Sequence, residues 1–138
     1  MKLASGLRTS EQLWSEVQEI AALIGRLQLN ELTVFFGYNG SSDDRFDDEL
    51  YQEIEIKTND LLGFLSKSMA EGRYHLGDQD FQIHSLSGGV EFLICHESDV
   101  HLETDNAEVA SHMRARWAAQ EPPGYEDSGL GWVPLRGI

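Results

Sequence analysis

Apolar residues first fall into step at Leu13, Val17, Ile20, Ile24 and Leu27, spaced alternately by four and three. That spacing lays them along one stripe of a helix. Thr9, followed three residues on by Gln12, is the start of a capping box, so the helix is expected over residues 10–29. Trp14, Ala21 and Leu23 widen the stripe, which suits a helix lying on a sheet or paired in a helical dimer; so short a heptad run does not by itself make a coiled coil. Residues 31–38 (ELTVFFGY) are rich in β-branched and aromatic side chains and predict a strand ended by the turn pair Asn39-Gly40. Over residues 50–57 the parity alternates, with Leu50, Ile54 and Ile56 on one side and Glu53, Glu55 and Lys57 on the other. This predicts a half-exposed strand. A helix from Asp47 onward competes, because Phe46, Leu50 and Ile54 recur every fourth residue, but the Glu-Ile-Glu-Ile segment alternates too strictly for it.

Further along, Thr58, Asn59 and Asp60 offer an N-cap, Leu61, Leu62, Leu65 and Met69 an apolar face, and Gly72 a stop. A second helix is therefore expected over residues 59–71, weakened in its middle by Gly63. Four short β-rich segments follow, 73–76, 80–85, 90–96 and 100–104, separated by GDQ, SGG and ESD, which is the turn chemistry of an antiparallel meander. Asp105 with Glu108 repeats the capping pattern, and Val109, Met113 and Trp117 mark a third helix ending near Gln120. The tail, residues 121–138, holds all three prolines and is expected to form no regular element. Trp132, Val133 and Leu135 are nevertheless costly to leave in water, so the tail should pack back on the core or on a second subunit. The fold class is thus α+β: one domain over residues 1–138, with a mainly antiparallel sheet of about five or six strands and three helices. The expected order is α-β-β-α-β-β-β-β-α followed by the tail.

Charge changes this picture of an ordinary domain. The chain carries 24 Asp and Glu against 10 Lys and Arg, a net charge of -14, and no Asp precedes Asp43. Asp43, Asp44, Asp47, Asp48, Glu49, Glu53, Glu55 and Asp60 crowd one stretch whose only cations are Arg45 and Lys57. Such a patch repels nucleic acid and attracts basic surfaces. An acidic surface spread for solvation is the plainer explanation, but spreading does not account for the clustering. The EF-hand pattern of alternating Asp or Asn with a central Gly is absent from NGSSDDRFDDEL, so no dedicated calcium loop is expected. Basic residues are few and scattered, which argues against a nucleic-acid partner.

The opening MKLASGLRTS has no apolar run of signal-peptide length, and no run reaches the length of a membrane span. A cytoplasmic protein with no membrane partner is expected. Cys95 is the only cysteine, which rules out an intramolecular disulfide and a cysteine-rich zinc site; within VEFLIC it reads as a buried thiol. His96 and His101 flank ESD, and a two-residue loop at Ser98-Asp99 would set them opposite one another with Glu103 on the same face. Two imidazoles and a carboxylate are a metal or acid-base constellation, though a one-residue slip separates them. Ser87-Gly88-Gly89 precedes no helix, and no Gly-flanked nucleophilic serine occurs. No catalytic residue and no cofactor is expected.

The function these observations favour is a small acidic protein-binding module, of the immunity or antitoxin type, that occupies a basic protein partner. Asp43, Asp44, Asp47, Asp48, Glu49, Glu53 and Glu55 would steer and orient, with Phe46 and Tyr51 as aromatic anchors. Two alternatives stand beside it. One is a small-ligand or metal-dependent enzyme using His96, His101 and Glu103; the other is a scaffold subunit forming a homodimer through the first helix or the Trp132 clasp.

Overall fold

The computed structural model describes residues 1–40 and 45–135. Helix α1 (Ser10–Arg26) begins as the sequence predicts. The Thr9 hydroxyl accepts from the Gln12 N–H, and Gln12 Oε1 accepts from the Thr9 N–H at 2.8 Å, a complete capping box. Its stripe of Leu13, Val17, Ile20 and Ile24 is fully buried in one core with residues of the sheet. Each such side chain contributes about 1.5–3 kcal/mol on burial. Trp14 and Ala21, which widen the stripe, and Leu27 at its end are only partly buried against that core.

The sheet is the departure from expectation. Among the described residues it has eight strands, β1 (Lys2–Ala4), β2 (Glu31–Asn39), β3 (Ile54–Lys57), β4 (Gln79–Ser85), β5 (Val90–Ile94), β6 (Val100–Thr104), β7 (Tyr125–Asp127) and β8 (Trp132–Pro134), in the order β3-β2-β4-β5-β6-β1-β7-β8. Every pairing between these strands is antiparallel. The expected five or six strands omitted β1, β7 and β8, each three residues long and too short to show a period. The expected strand at 73–76 is instead a turn region with Gly72 and Gly77 at positive φ, from which the buried Tyr74 stacks on Phe36 at 5.2 Å. The tail is regular after all, because β7 and β8 form a hairpin docked on β1, and Leu135 closes the core beyond it.

Helices α2 (Leu61–Ala70) and α3 (Ala107–Ala119) complete the single α+β domain. A 3-10 turn, Thr58–Asp60, leads into α2, and another, Asp47–Glu49, stands where a helix from Asp47 competed with a strand. Asn106 rather than Asp105 caps α3, accepting from the N–H groups of Glu108 and Val109. No helix among the described residues is long and apolar enough to cross a membrane.

Alternation then divides the sheet. Phe81, Ile83, Phe92, Ile94, Val100 and Leu102 share the core with the helices, while Gln82, His84, Glu91, Leu93, His101 and Glu103 occupy the other parity and are half-buried or exposed. Among the described residues, helices thus cover one face of the antiparallel sheet and not the other.

Candidate functional site

The uncovered face is organised by register. Phe35 pairs with Gln82, Gln82 with Leu93, Leu93 with His101, His101 with Ala4 and Ala4 with Tyr125, so these residues form one row across six strands. The next row on the same face runs Glu55, Thr33, His84, Glu91, Glu103 and Lys2. An apolar and aromatic row therefore lies beside an acidic one. Glu91 and Glu103 stand directly opposite each other, and Gln82 Nε2 donates to Glu91 Oε1.

The acidic stretch borders this face. Asp43 and Asp44 lie outside the described residues. Asp47, Asp48, Glu53 and Glu55 are exposed. Glu49 is not free, because Arg73 donates to both its carboxylate oxygens. Arg73 also lies over the Phe46 ring at 4.5 Å, with Arg45 at 5.3 Å from the same ring, so Phe46 is engaged within the chain. The Arg73 guanidinium is held above its ordinary range chiefly by the Glu49 hydrogen bond. Arg45 and Lys57 are the only cations within the stretch itself; Arg73 arrives from a turn 24 residues from Glu49. Tyr51 keeps the exposure an anchor needs, at 64%, with its ring 6.1 Å from Phe35. Its backbone sits at φ 63°, a region costly for a residue with a side chain, and its N–H donates to Phe36 O at 2.6 Å.

The hairpin between β5 and β6 gathers titratable groups. The last strand pair is Ile94 with Val100, and Cys95 N donates to Asp99 O at 2.8 Å. The connection is therefore longer than the two residues expected, and Ser98, at φ 69°, turns it. This corrects the expected register: His101 lies opposite Leu93, and His96 stands in the turn. Glu103 shares the His101 face but pairs with Glu91 and Lys2. His96 instead binds Asp80, whose Oδ1 lies 2.8 Å from Nδ1 and also accepts the His96 N–H at 2.8 Å, while Tyr38 packs on its ring at 4.5 Å.

His101 Nε2 lies 3.1 Å from Asp99 Oδ2, and Cys95 Sγ, an Asp99 carboxylate oxygen and a His101 ring nitrogen all lie within 4.8 Å of one another. The Asp99 hydrogen bond, and after it the Cys95 sulfur, push the His101 pKa up to about 10 against the opposing effect of burial. Burial alone would lift the Asp99 carboxyl, but bonding to His101 outweighs it and holds Asp99 below its ordinary value. Asp99 Oδ1 is buried and accepts no hydrogen bond. Beside them opens a concavity of about 400 Å³ lined by Asp99, His101, Leu7, Tyr125 and Trp132, the last edge-on to His101 at 6.2 Å. Neither Cys95 nor Asp99 stood among the expected ligands, because their meeting depends on the length of a turn.

What the fold and this face define is an open-faced α+β domain with a mixed acidic and aromatic surface. No family model, curated protein or solved structure matches the chain.

Proposed function

We propose that this protein is an acidic protein-binding module that docks a basic partner on the helix-free face of its sheet. The observation that carries the reading is the pair of rows on that face, above all Glu91 directly opposite Glu103. Like charges set opposite on neighbouring strands cost stability. The chain sustains that cost where no helix covers it, and a lysine or arginine from a partner would relieve it. The neighbouring row supplies Phe35 and Leu93 as anchors, the exposed Tyr51 and Trp132 lie beside it against Phe35 and His101, and the surrounding carboxylates orient a basic surface and speed encounter. An inhibitor that neutralises its target, of the immunity or antitoxin kind, is the finer form of this reading.

The test is capture from lysate with three baits, washed across a salt series. They are the wild type, a reversal of Asp43, Asp44, Asp47 and Asp48, and a reversal of Glu55, Glu91 and Glu103. A basic protein held by the wild type, released by salt and lost on the Glu55, Glu91 and Glu103 variant is the expected result. The same proteins held by all three baits would reduce the acidity to solvation.

A further inference from the structure

We propose that the hairpin joining β5 to β6 is a binding site for a borderline-soft divalent cation, zinc foremost, with Cys95 Sγ, an Asp99 carboxylate oxygen and His101 Nε2 as its three protein ligands. Three observations converge. The ligand atoms already lie within 4.8 Å of one another, and Asp99 Oδ2 and His101 Nε2 are 3.1 Å apart. Bonds of about 2.0–2.3 Å in a tetrahedron separate ligand atoms by about 3.5 Å, so closure asks for side-chain adjustments of about 1 Å. Asp99 Oδ1, moreover, is a buried oxygen with no hydrogen-bond partner, an arrangement that costs stability and that a cation would satisfy. The backbone is also set in advance, since the Cys95 N–H to Asp99 O bond fixes the two ends of the turn and the Glu97 N–H points at the Cys95 sulfur from 3.5 Å.

The donor set selects the ion. A thiolate with an imidazole and one carboxylate suits zinc and its neighbours and is a poor cage for calcium or magnesium, which take oxygen. Binding displaces two protons to solvent, the thiol proton of Cys95 and the Nε2 proton that His101 holds against Asp99, so affinity rises with pH. Three protein ligands leave a fourth position, and Asp99 and His101 both line the concavity walled by Leu7, Tyr125 and Trp132. The fourth ligand is thus exchangeable, a water or a small donor entering from the sheet face.

Cys95 also neighbours Asp80 and His96 on its other side, a second possible trio. There the groups are already satisfied: Asp80 Oδ1 accepts from the His96 N–H and contacts its ring nitrogen, closing a clasp over which Tyr38 packs. Asp99 and His101 retain the unsatisfied oxygen and the opening. The inference stands apart from the docking reading, since either can fail alone.

Cobalt is the probe, because a Co²⁺–thiolate bond has its own near-ultraviolet charge-transfer band, while visible d–d bands report coordination number. Full-length protein, stripped by chelator and reduced, is titrated with Co²⁺. The expected result is one equivalent bound, with the charge-transfer band and the strong visible bands of four-coordination, both bleached by equimolar Zn²⁺. Cys95→Ser and His101→Ala should abolish the charge-transfer band and His96→Ala should leave it, with folding verified by circular dichroism. Absence of the band in the wild type overturns the proposal whatever the variants do. So does a band that survives Cys95→Ser, or one kept by His101→Ala and lost by His96→Ala, which would move the ion to the Asp80 side.

Discussion

Glu16 is a carboxylate in the core that earns its position by valence. It is 1% exposed, and it accepts from Trp117 Nε1 at 3.1 Å, Gln120 Nε2 at 2.9 Å and Arg116 Nε at 3.0 Å, joining α1 to α3. Three donors saturate a charge that burial would otherwise penalise. Glu16→Ala takes the acceptor from the buried Trp117 N–H and one partner from each of Arg116 and Gln120, so we expect a loss of about 3 kcal/mol in chemical denaturation and a fall of roughly 10 °C in Tm. A loss under about 1 kcal/mol would mean that water replaces the carboxylate. His101 gives a second prediction, for the metal-free protein. Its pKa is raised from 6.5 to about 10, chiefly by Asp99 and then by Cys95, so its contribution to stability is complete below pH 6.5 and disappears as pH climbs through about 10. Asp99 acts oppositely: its pKa is depressed, so its contribution holds above the ordinary carboxylate range and is lost as pH falls through the lowered value. The His101 ring protons should therefore show no titration near 6.5 by NMR, and His101→Gln should remove the alkaline part of the stability loss. A midpoint near 6.5 would show that the ion pair does not form.

The hairpin of β7 and β8 is entered through a close approach at Gly124. A Cβ on Gly124 would sit 2.5 Å from Ala4 O and 2.7 Å from Trp117 Cβ, and Gly124 itself bonds Trp117 O and the Leu135 N–H. Both contacts are with parts of the chain that cannot swing aside, so Gly124→Ala should cost about 1–3 kcal/mol. Hydrogen exchange should accelerate in Tyr125–Asp127 and Trp132–Pro134 while β4 to β6 stay protected. Uniform acceleration throughout would show the hairpin to be one cooperative unit with the core. This element also marks where sequence reading stops. The stripe and cap of α1 and the strict alternation of β4, β5 and β6 are local patterns, and they identify helix, strand and buried parity directly. Strands of three residues contain no period, which hides β1, β7 and β8. Arg73 meeting Glu49 and Phe46 is non-local, and no spacing announces it. Nor does sequence count the turn after Ile94: with Ser98 in a left-handed conformation that glycine more often fills, Cys95 meets Asp99 and His96 leaves the pair expected with His101.

A net charge of -14 acts on the folded chain as self-repulsion and on a basic partner as attraction, and the two effects can be measured against each other. Glu91 is the position at which to do so. It faces Glu103 directly, and Gln82 donates to it, a bond that a glutamine in its place can still accept. Relieving one like-charge cross-strand pair contributes about 0.2–1 kcal/mol. If the acidic row exists for stability, Glu91→Gln should lower the denaturation midpoint. If it exists to meet cations, the same substitution should raise stability by up to about 1 kcal/mol while weakening capture of a basic partner. The stabilisation should shrink with added salt, because screening removes the repulsion being relieved. The docking reading requires both changes in opposite directions from one substitution. Stability and capture falling together would assign Glu91 a packing role and remove the acidic row from the binding surface.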